Sequence, residues 1–271
     1  MREAQALDLA AASLVRAGCP AAFHDARLLL RDVLDEYPAA VATAALPPNA
    51  VDKLMNAVAA RADRRPLAYV RGRASFRGLD MTVDDRVFVP RPETELLVES
   101  ALDIPLGARV LEPCTGSGAV AVALAVERPD LDITASDVSG DALAIAQENA
   151  VRHQARVRFF CADGIAAVPG DEFDAVVCNP PYVAETDRGT GALPPELERH
   201  EPGQAFWAGT HGLDLYPRLV GQLADSVRWA AFEVGDGQDP AVERLLAGRG
   251  LAVRTRCRTA AGAVRVVVAV R

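Results

Sequence analysis

The sequence predicts an α/β fold: a mostly parallel, seven-stranded sheet closed by a terminal antiparallel strand pair, preceded by a small helical bundle and a β-hairpin connector. Three observations predict it. As far as Arg65-Pro66 the apolar residues recur at helical spacing. Between Phe76 and Val89 they alternate, as in short strands. From Gly107 onward apolar strands and amphipathic helices take turns, the pattern that builds a parallel sheet with helices on both faces. The expected division is a helical domain over 1–70, a hairpin connector over 71–92 and an α/β domain over 93–271.

The elements follow in order. Leu7, Ala10, Ala11, Leu14 and Val15 share one helical face; Leu28, Leu29, Val33 and Leu34 make a second, and Val51, Leu54, Met55 and Val58 a third. Gly18-Cys-Pro20 and Leu46-Pro-Pro-Asn49 separate them. In the connector, Phe76, Leu79, Met81, Val83, Val87 and Val89 read as short strands, with turns at Arg77-Gly78 and Asp84-Asp85. "ARVLEP" is then a strand, "GAVAVALAVER" a helix, "LDITASD" a strand and "SGDALAIAQENAVRH" a helix with Ser139 as its N-cap. "RVRFFCAD" and "EFDAVVCNPPY" are the next two strands. After an irregular stretch come a helix around Leu213–Leu223, the strand "VRWAAFEVG", a helix closed by Gly250, and the final pair "LAVRTRC" and "AVRVVVAVR".

Composition narrows the function classes. The chain has 271 residues, half of them hydrophobic, enough for a substantial core. No apolar run has the roughly 18 residues of a membrane span, and the charged, amphipathic start is unlike a signal peptide, so a cytoplasmic address without membrane contact is expected. The five cysteines are scattered, odd in number and without a CxxC pair, which argues against disulfides and metal sites. A net charge of −8 argues against a surface that grips nucleic acid, so no direct nucleic-acid binding is expected. The densest positive stretch, "RADRRP" with Arg71, Arg73 and Arg77, reads as a solvated linker.

Two motifs carry chemistry. In "VLEPCTGSGAVAVALA" the glycines Gly116 and Gly118 follow a strand and open a helix, so a ligand can approach the backbone and its free N–H groups. The spacing matches neither the GxGxxG dinucleotide turn nor a P-loop. Asp137 ends the second strand about 20 residues later, where a carboxylate can accept both hydroxyls of a ribose. A nucleoside without a phosphate clamp is implied, and S-adenosylmethionine fits. Glu112 faces the sulfonium or amino end of such a ligand or, alternatively, serves its own helix terminus. Asp163 approaches the adenine edge or is an ordinary turn aspartate.

The second motif is "VVCNPPYV", an apolar strand stopped by an amide, two prolines and a ring. At a strand's C-terminal edge, Asn179 can accept one N–H of a planar amide or exocyclic amine while the Pro180 carbonyl accepts the other. Tyr182 can pack on the planar group. His200, His211 and Trp207 lie in the irregular stretch beyond it and read as loop residues or substrate contacts, and the length of that stretch favours a covering role over the acceptor.

Together with "FVPRPETELLVE", "ASDVSGDALAIAQENA", "RHEPGQAFWAGTHGLDLY" and "FEVGDGQ", these motifs resemble the HemK-type protein-glutamine methyltransferases nearly from end to end. The resemblance implies a Rossmann-like S-adenosylmethionine-dependent methyltransferase domain and, as substrate, the glutamine of the Gly-Gly-Gln motif in peptide chain release factors. It implies that Glu112 and Cys114, Thr115, Gly116, Ser117 and Gly118 line the cofactor, that Asp137 holds the ribose, and that Asp163 and Gly164 lie by the adenine. It further implies that Asn179, Pro180, Pro181 and Tyr182 form the catalytic motif and bind glutamine, that Arg91, Pro92 and Thr94 lie near the site, and that the helical domain recognises the protein substrate. A monomer without metal is expected. The chain departs from the family at Glu112-Pro113, where Asp-Leu is usual, at Gly164, where an aromatic is common, and at His211, where an acidic residue is common. A paralogue acting on another protein, an adenine amino-methyltransferase, or a silent cofactor-binding scaffold are the competing readings.

Overall fold

The structure, a computed structural model, describes residues 1–168 and 172–271. It consists of two compact units: Met1–Gly72 with Pro194–His200, and Arg73–Leu193 with Glu201–Arg271.

The first unit is built on α1 (Glu3–Arg16), α2 (Ala22–Glu36), α3 (Pro38–Thr43), α4 (Pro48–Ala62) and α5 (Leu67–Arg71). Small and branched residues at helical spacing bury one face of each long helix: Ala6, Ala10 and Leu14 of α1, Ala26, Leu29, Leu30 and Val33 of α2, Ala50, Leu54 and Val58 of α4. Val15, expected on the buried face, lies on the exposed one, because Ala6, Ala10 and Leu14 set the inward stripe of α1 one residue away.

The second unit opens with the hairpin β1 (Arg73–Phe76) and β2 (Leu79–Thr82), which turns at Arg77 (φ 46°) and Gly78 (φ 76°). Two successive left-handed residues match the twist of a tight hairpin. The expected strands at Val87 and Val89 do not form. Asp84 accepts the Arg86 amide in a local turn, and the Val89 amide donates to the Glu201 carboxylate at 3.0 Å rather than to a ladder. Val83, Val87 and Val89 are buried all the same.

There follow α6 (Glu95–Ala101), β3 (Arg109–Pro113), α7 (Ala119–Glu127), β4 (Asp132–Asp137), α8 (Gly140–Arg152), β5 (Val157–Cys161), β6 (Ala175–Cys178), α9 (Pro195–His200), α10 (Leu215–Gly221), β7 (Trp229–Glu233), α11 (Asp239–Gly248), β8 (Ala252–Arg258) and β9 (Val264–Val270). Strands β3 to β9 form one sheet in the order β5-β4-β3-β6-β7-β9-β8, parallel except where β9 runs against β7 and β8. Ser139 caps α8 as expected, accepting the Ala142 amide at 3.1 Å. α7 is apolar all round and buried from Ala119 to Ala125, as suits a helix covered on both sides. The chain leaves β3 toward β4 and β5, then returns to place β6 on the other side of β3. That reversal opens a crevice at the carboxyl ends of β3 and β6, where open α/β sheets hold ligands.

α9 belongs to the helical unit although its neighbours in sequence belong to the sheet. Its Glu196 takes Arg61 at 2.8 Å and Arg64 at 2.7 Å. Burial opposes ionisation there, but the two guanidiniums outweigh it and hold the carboxyl down at about 2. Arg61 also donates to the buried Asp25 at 2.8 Å, and Arg71 to Asp32 at 2.6 Å. The positive run expected to be a solvated linker is therefore largely neutralised by carboxylates inside its own unit. Among the described residues no helix is long and apolar enough to cross a membrane.

Candidate active site

Four parallel strands, β4, β3, β6 and β7, lie side by side and end on the same edge. Their last residues carry the site.

At the end of β3 the chain turns through Cys114 (φ 60°), Gly116 (φ 54°) and Gly118 (φ 77°) into α7. The Thr115 amide donates to the Ser136 carbonyl on β4 and the Gly118 amide to the Thr115 carbonyl, which closes the loop over the strand ends. Gly118 must be glycine: a Cβ there would lie 2.9 Å from the Ala146 Cβ of α8, in a backbone region that side chains avoid. A Cβ on Gly116 would meet nothing within 4 Å, so the space above that residue is open. Asp137, at the end of β4, accepts the Gly116 amide at Oδ2 and the Ser139 amide at Oδ1, both at 2.9 Å. Burial raises its pKa despite these donors. A desolvated carboxylate with its lone pairs held beside an open glycine turn is the acceptor a vicinal diol requires.

Glu112 is fully buried. Its Oε2 accepts the Thr115 hydroxyl at 2.7 Å and the Ala121 amide in the first turn of α7 at 2.9 Å, the helix-terminus role. Desolvation pushes its pKa up to about 8 in spite of both donors. Cys114 is partly exposed, and Thr115 and Ser117 are buried in the loop.

On the next strand, Asn179 follows β6 with its Nδ2 donating to the Thr94 Oγ1 at 3.3 Å. That contact turns the amide oxygen away from Thr94. Pro180 and Pro181 are buried and hold the turn. The Tyr182 hydroxyl donates to Glu233 Oε1 at 3.1 Å, and burial leads the causes that raise its pKa. Two glycines let the chain close on Tyr182: a Cβ on Gly212 would lie 2.2 Å from its backbone carbonyl and one on Gly235 3.3 Å from its ring.

The remaining expected residues spread around this edge. Thr94 is buried; Pro92 opens the short 3-10 turn Pro92–Thr94 and is exposed. Arg91 stacks over Phe88 at 4.6 Å and donates to the buried Glu201. Asp163 lies two residues beyond β5 rather than on it, and its carboxylate pairs with Arg218 at 2.5 Å. Gly164 (φ 86°) leaves room for Gln222, whose Oε1 accepts the Ile165 amide at 2.8 Å. Among the residues of the long stretch, Trp207 lies under the Arg188 guanidinium at 4.6 Å, and its backbone bridges that of Val183. His200 contacts the Asp63 carbonyl inside the helical unit, and His211 is exposed.

Four residues escaped the sequence reading. Glu233 and Gln238 lie in "FEVGDGQ", Glu201 in "RHEP" and Asn149 in "AQENA". Gln238 Nε2 donates to the Tyr182 carbonyl at 2.9 Å and its Oε1 accepts the Gly235 amide at 2.9 Å. Asn149, fully buried, donates to the Ser117 and Thr82 carbonyls and accepts the Thr82 amide at 2.7 Å, joining the glycine loop, α8 and β2. An uncharged amide inside a helix gives no sequence signal beyond its interruption of the apolar stripe. Among the described residues no group of three His, Cys, Asp or Glu could hold a metal.

An open glycine turn, a desolvated carboxylate at Asp137 and a fixed carboxamide on neighbouring strand ends suit a nucleoside-dependent transferase of the α/β class. Family models match two stretches: the methyltransferase small domain over residues 92–193 and the PrmC N-terminal domain over residues 5–72. The release factor glutamine methyltransferase of Koribacter versatilis is 37% identical over 85% of this chain and 85% of its own. That of Cereibacter sphaeroides is 38% identical over 93% and 92%. Among solved structures, the hMettl16 catalytic domain in complex with the MAT2A 3'UTR hairpin 6 shares the fold, with a TM-score of 0.56, 16% identity and 82% of each chain covered. The chain belongs to the release factor glutamine methyltransferase family, and it is an enzyme with S-adenosylmethionine as its cofactor.

Proposed function

We propose that the protein methylates the side-chain amide nitrogen of the glutamine in the Gly-Gly-Gln motif of peptide chain release factors. The observation that carries this reading is the Asn179 amide, held at its Nδ2 by Thr94 one strand from the glycine loop and two from Asp137. S-adenosylmethionine supplies an electrophilic methyl group. Asp137 accepts the ribose hydroxyls, the loop from Cys114 to Gly118 with Glu112 beneath it lines the cofactor, and Asp163-Gly164 lies toward the adenine. Asn179 Oδ1 accepts one N–H of the glutamine amide and the Pro180 carbonyl the other. With both protons directed at acceptors, the nitrogen lone pair is turned toward the methyl carbon. Tyr182 and Pro181 pack against the amide plane, and Arg91, Pro92 and Thr94 border the acceptor. An amide nitrogen becomes acidic as it is alkylated, so its proton leaves late and positioning supplies most of the catalysis.

The partner is a release factor, bound by a cytoplasmic monomer without direct nucleic-acid contact; the five cysteines, all free, suit a reducing compartment. The test is transfer of labelled methyl to a purified release factor, to its Gly-Gly-Gln glutamine→asparagine variant, and to unmethylated DNA. Label on the wild-type factor alone is the expected result. Label on DNA, or on no release factor while the cofactor binds, overturns the acceptor.

A further inference from the structure

β5 ends at Cys161, and the next amide, that of Ala162, donates to the Asp137 carbonyl at 3.0 Å, so the turn that follows starts beside the proposed ribose acceptor. Two side chains of α10 hold that turn. Gln222, at the C-terminal cap of the helix, accepts the Ile165 amide at 2.8 Å and the Ala166 amide at 3.3 Å on a single atom, Oε1. Arg218, one turn earlier on the same helix face, donates to the Asp163 carbonyl at 3.0 Å and pairs with the Asp163 carboxylate at 2.5 Å. Gly164 lets the Gln222 amide in: its φ is 86°, and a Cβ on it would lie 2.5 Å from that Oε1. Ala162 and Ile165 are buried in the same cluster as Tyr216, Leu219 and Val220 of α10. Packing therefore brings helix and turn together, and the two polar side chains fix the backbone of the turn.

The hold is out of proportion to what the fold gains from it. Asp163 and Arg218 are exposed, and an exposed ion pair contributes little stability. A ligand bound against the turn gains more, because the groups it meets are already ordered. The strand order β5-β4-β3-β6 says which part of the ligand that is. With the ribose at Asp137 on β4 and the reacting end at Asn179 beyond β6, the base is left the end of β5.

We propose that Gln222 is a positioning residue for the cofactor: through the Ile165 and Ala166 amides it holds the turn after β5 in the form that receives the adenine, while Arg218 holds Asp163 with its carboxylate toward the 6-amino group. An ionised carboxylate only accepts, and that amino group donates. The proposal rests on the reading of Asp163-Gly164 as the adenine side. Gln222 acts through its oxygen alone, so an acceptor at that place is what matters.

The experiment measures, by calorimetry, the binding of S-adenosylhomocysteine and of its analogue with unsubstituted purine in place of adenine, beside amide hydrogen exchange in the ligand-free protein. The wild type should prefer the adenine ligand by about tenfold, the worth of one hydrogen bond to a charged group. Gln222→Met keeps the length of the side chain and removes the acceptor. It should weaken the adenine ligand by about tenfold, bring the two ligands to nearly equal affinity, and speed exchange at Ile165 and Ala166. It should also raise KM for S-adenosylmethionine with much less effect on kcat. Gln222→Glu keeps the acceptor and should recover most of the loss. Asp163→Ala separates the proposal from the reading beneath it. If Asp163→Ala loses the base preference and Gln222→Met retains it, the positioning role is overturned and the adenine side stands. A wild type without base preference, or a preference that survives Asp163→Ala, overturns both. Equal weakening of the two ligands in Gln222→Met, or unchanged exchange at Ile165 and Ala166, also overturns the proposal.

Discussion

The proposed cofactor end, at the glycine turn, and the proposed acceptor end, at Asn179, are built in opposite ways along the same sheet edge. At the cofactor end the parts lie close in sequence: Glu112 reaches Thr115 three residues on and Ala121 nine residues on, and the Gly116 amide meets Asp137 21 residues later. Most of the work is done by backbone N–H groups. At the acceptor end the parts are side chains drawn from the whole unit: Asn179 meets Thr94 across 85 residues, Tyr182 meets Glu233 across 51, and Arg91 meets Glu201 across 110. Backbone geometry fixes the first half, and long-range packing fixes the second. The cofactor end should therefore fail through loss of binding or stability, and the acceptor end through loss of orientation.

The largest effect that tests this contrast is Asn179→Ala, which should reduce methyl transfer by about 1,000-fold or more, an estimate for loss of positioning at the reacting group, while cofactor affinity by calorimetry stays near wild type. Lost cofactor binding in that variant would erase the division between the two ends. Gly118→Ala should come next, destabilising the protein by roughly 3 kcal/mol through a strained φ and a clash with Ala146, read as a lower urea midpoint. Asp137→Ala should weaken cofactor binding by about 100-fold, the worth of two charge-assisted hydrogen bonds at about 1.5 kcal/mol each, yet leave kcat at saturation much less affected.

The smallest effect sharpens the contrast through pH. Burial pushes Glu112 and Glu233 up to about 8 and about 7 in the folded state, whereas an unfolded carboxyl gives its proton up near its ordinary value of 4.5. Between these values the folded state binds more protons, so stability falls as pH rises through the window, by at most about 1.4 kcal/mol per pH unit for each group. Glu112→Gln should remove the slope between pH 7 and 8 in denaturant titrations and halve it between about 4.5 and 7, where Glu112 and Glu233 both contribute. An unchanged slope above pH 7 would remove Glu112 as its source.

This asymmetry also explains what the sequence showed. Strand and helix order, the glycine turn, Asp137 and the Asn-Pro-Pro-Tyr motif were legible because each is a local pattern: an apolar period, a turn residue, a strand end. Glu233, Gln238, Glu201 and Asn149 were not, because their meaning depends on partners 32 to 112 residues away that no period connects. Glu112 could be read two ways, and only its contacts with Thr115 and Ala121 show which donors it serves. The expected strands at Val87 and Val89 failed for a related reason: alternation reports burial, and burial there comes without a pairing partner.

The helical unit has a consequence in time. Arg61 and Arg64 take Glu196, 135 and 132 residues further along the chain. A ribosome adding about 5–20 residues per second needs roughly 7–26 s to cover that distance. Until then the nascent bundle carries two guanidiniums at a face prepared for a carboxylate that has not yet been made, so its five N-terminal helices emerge early but acquire their final charge balance only when most of the enzyme has been translated.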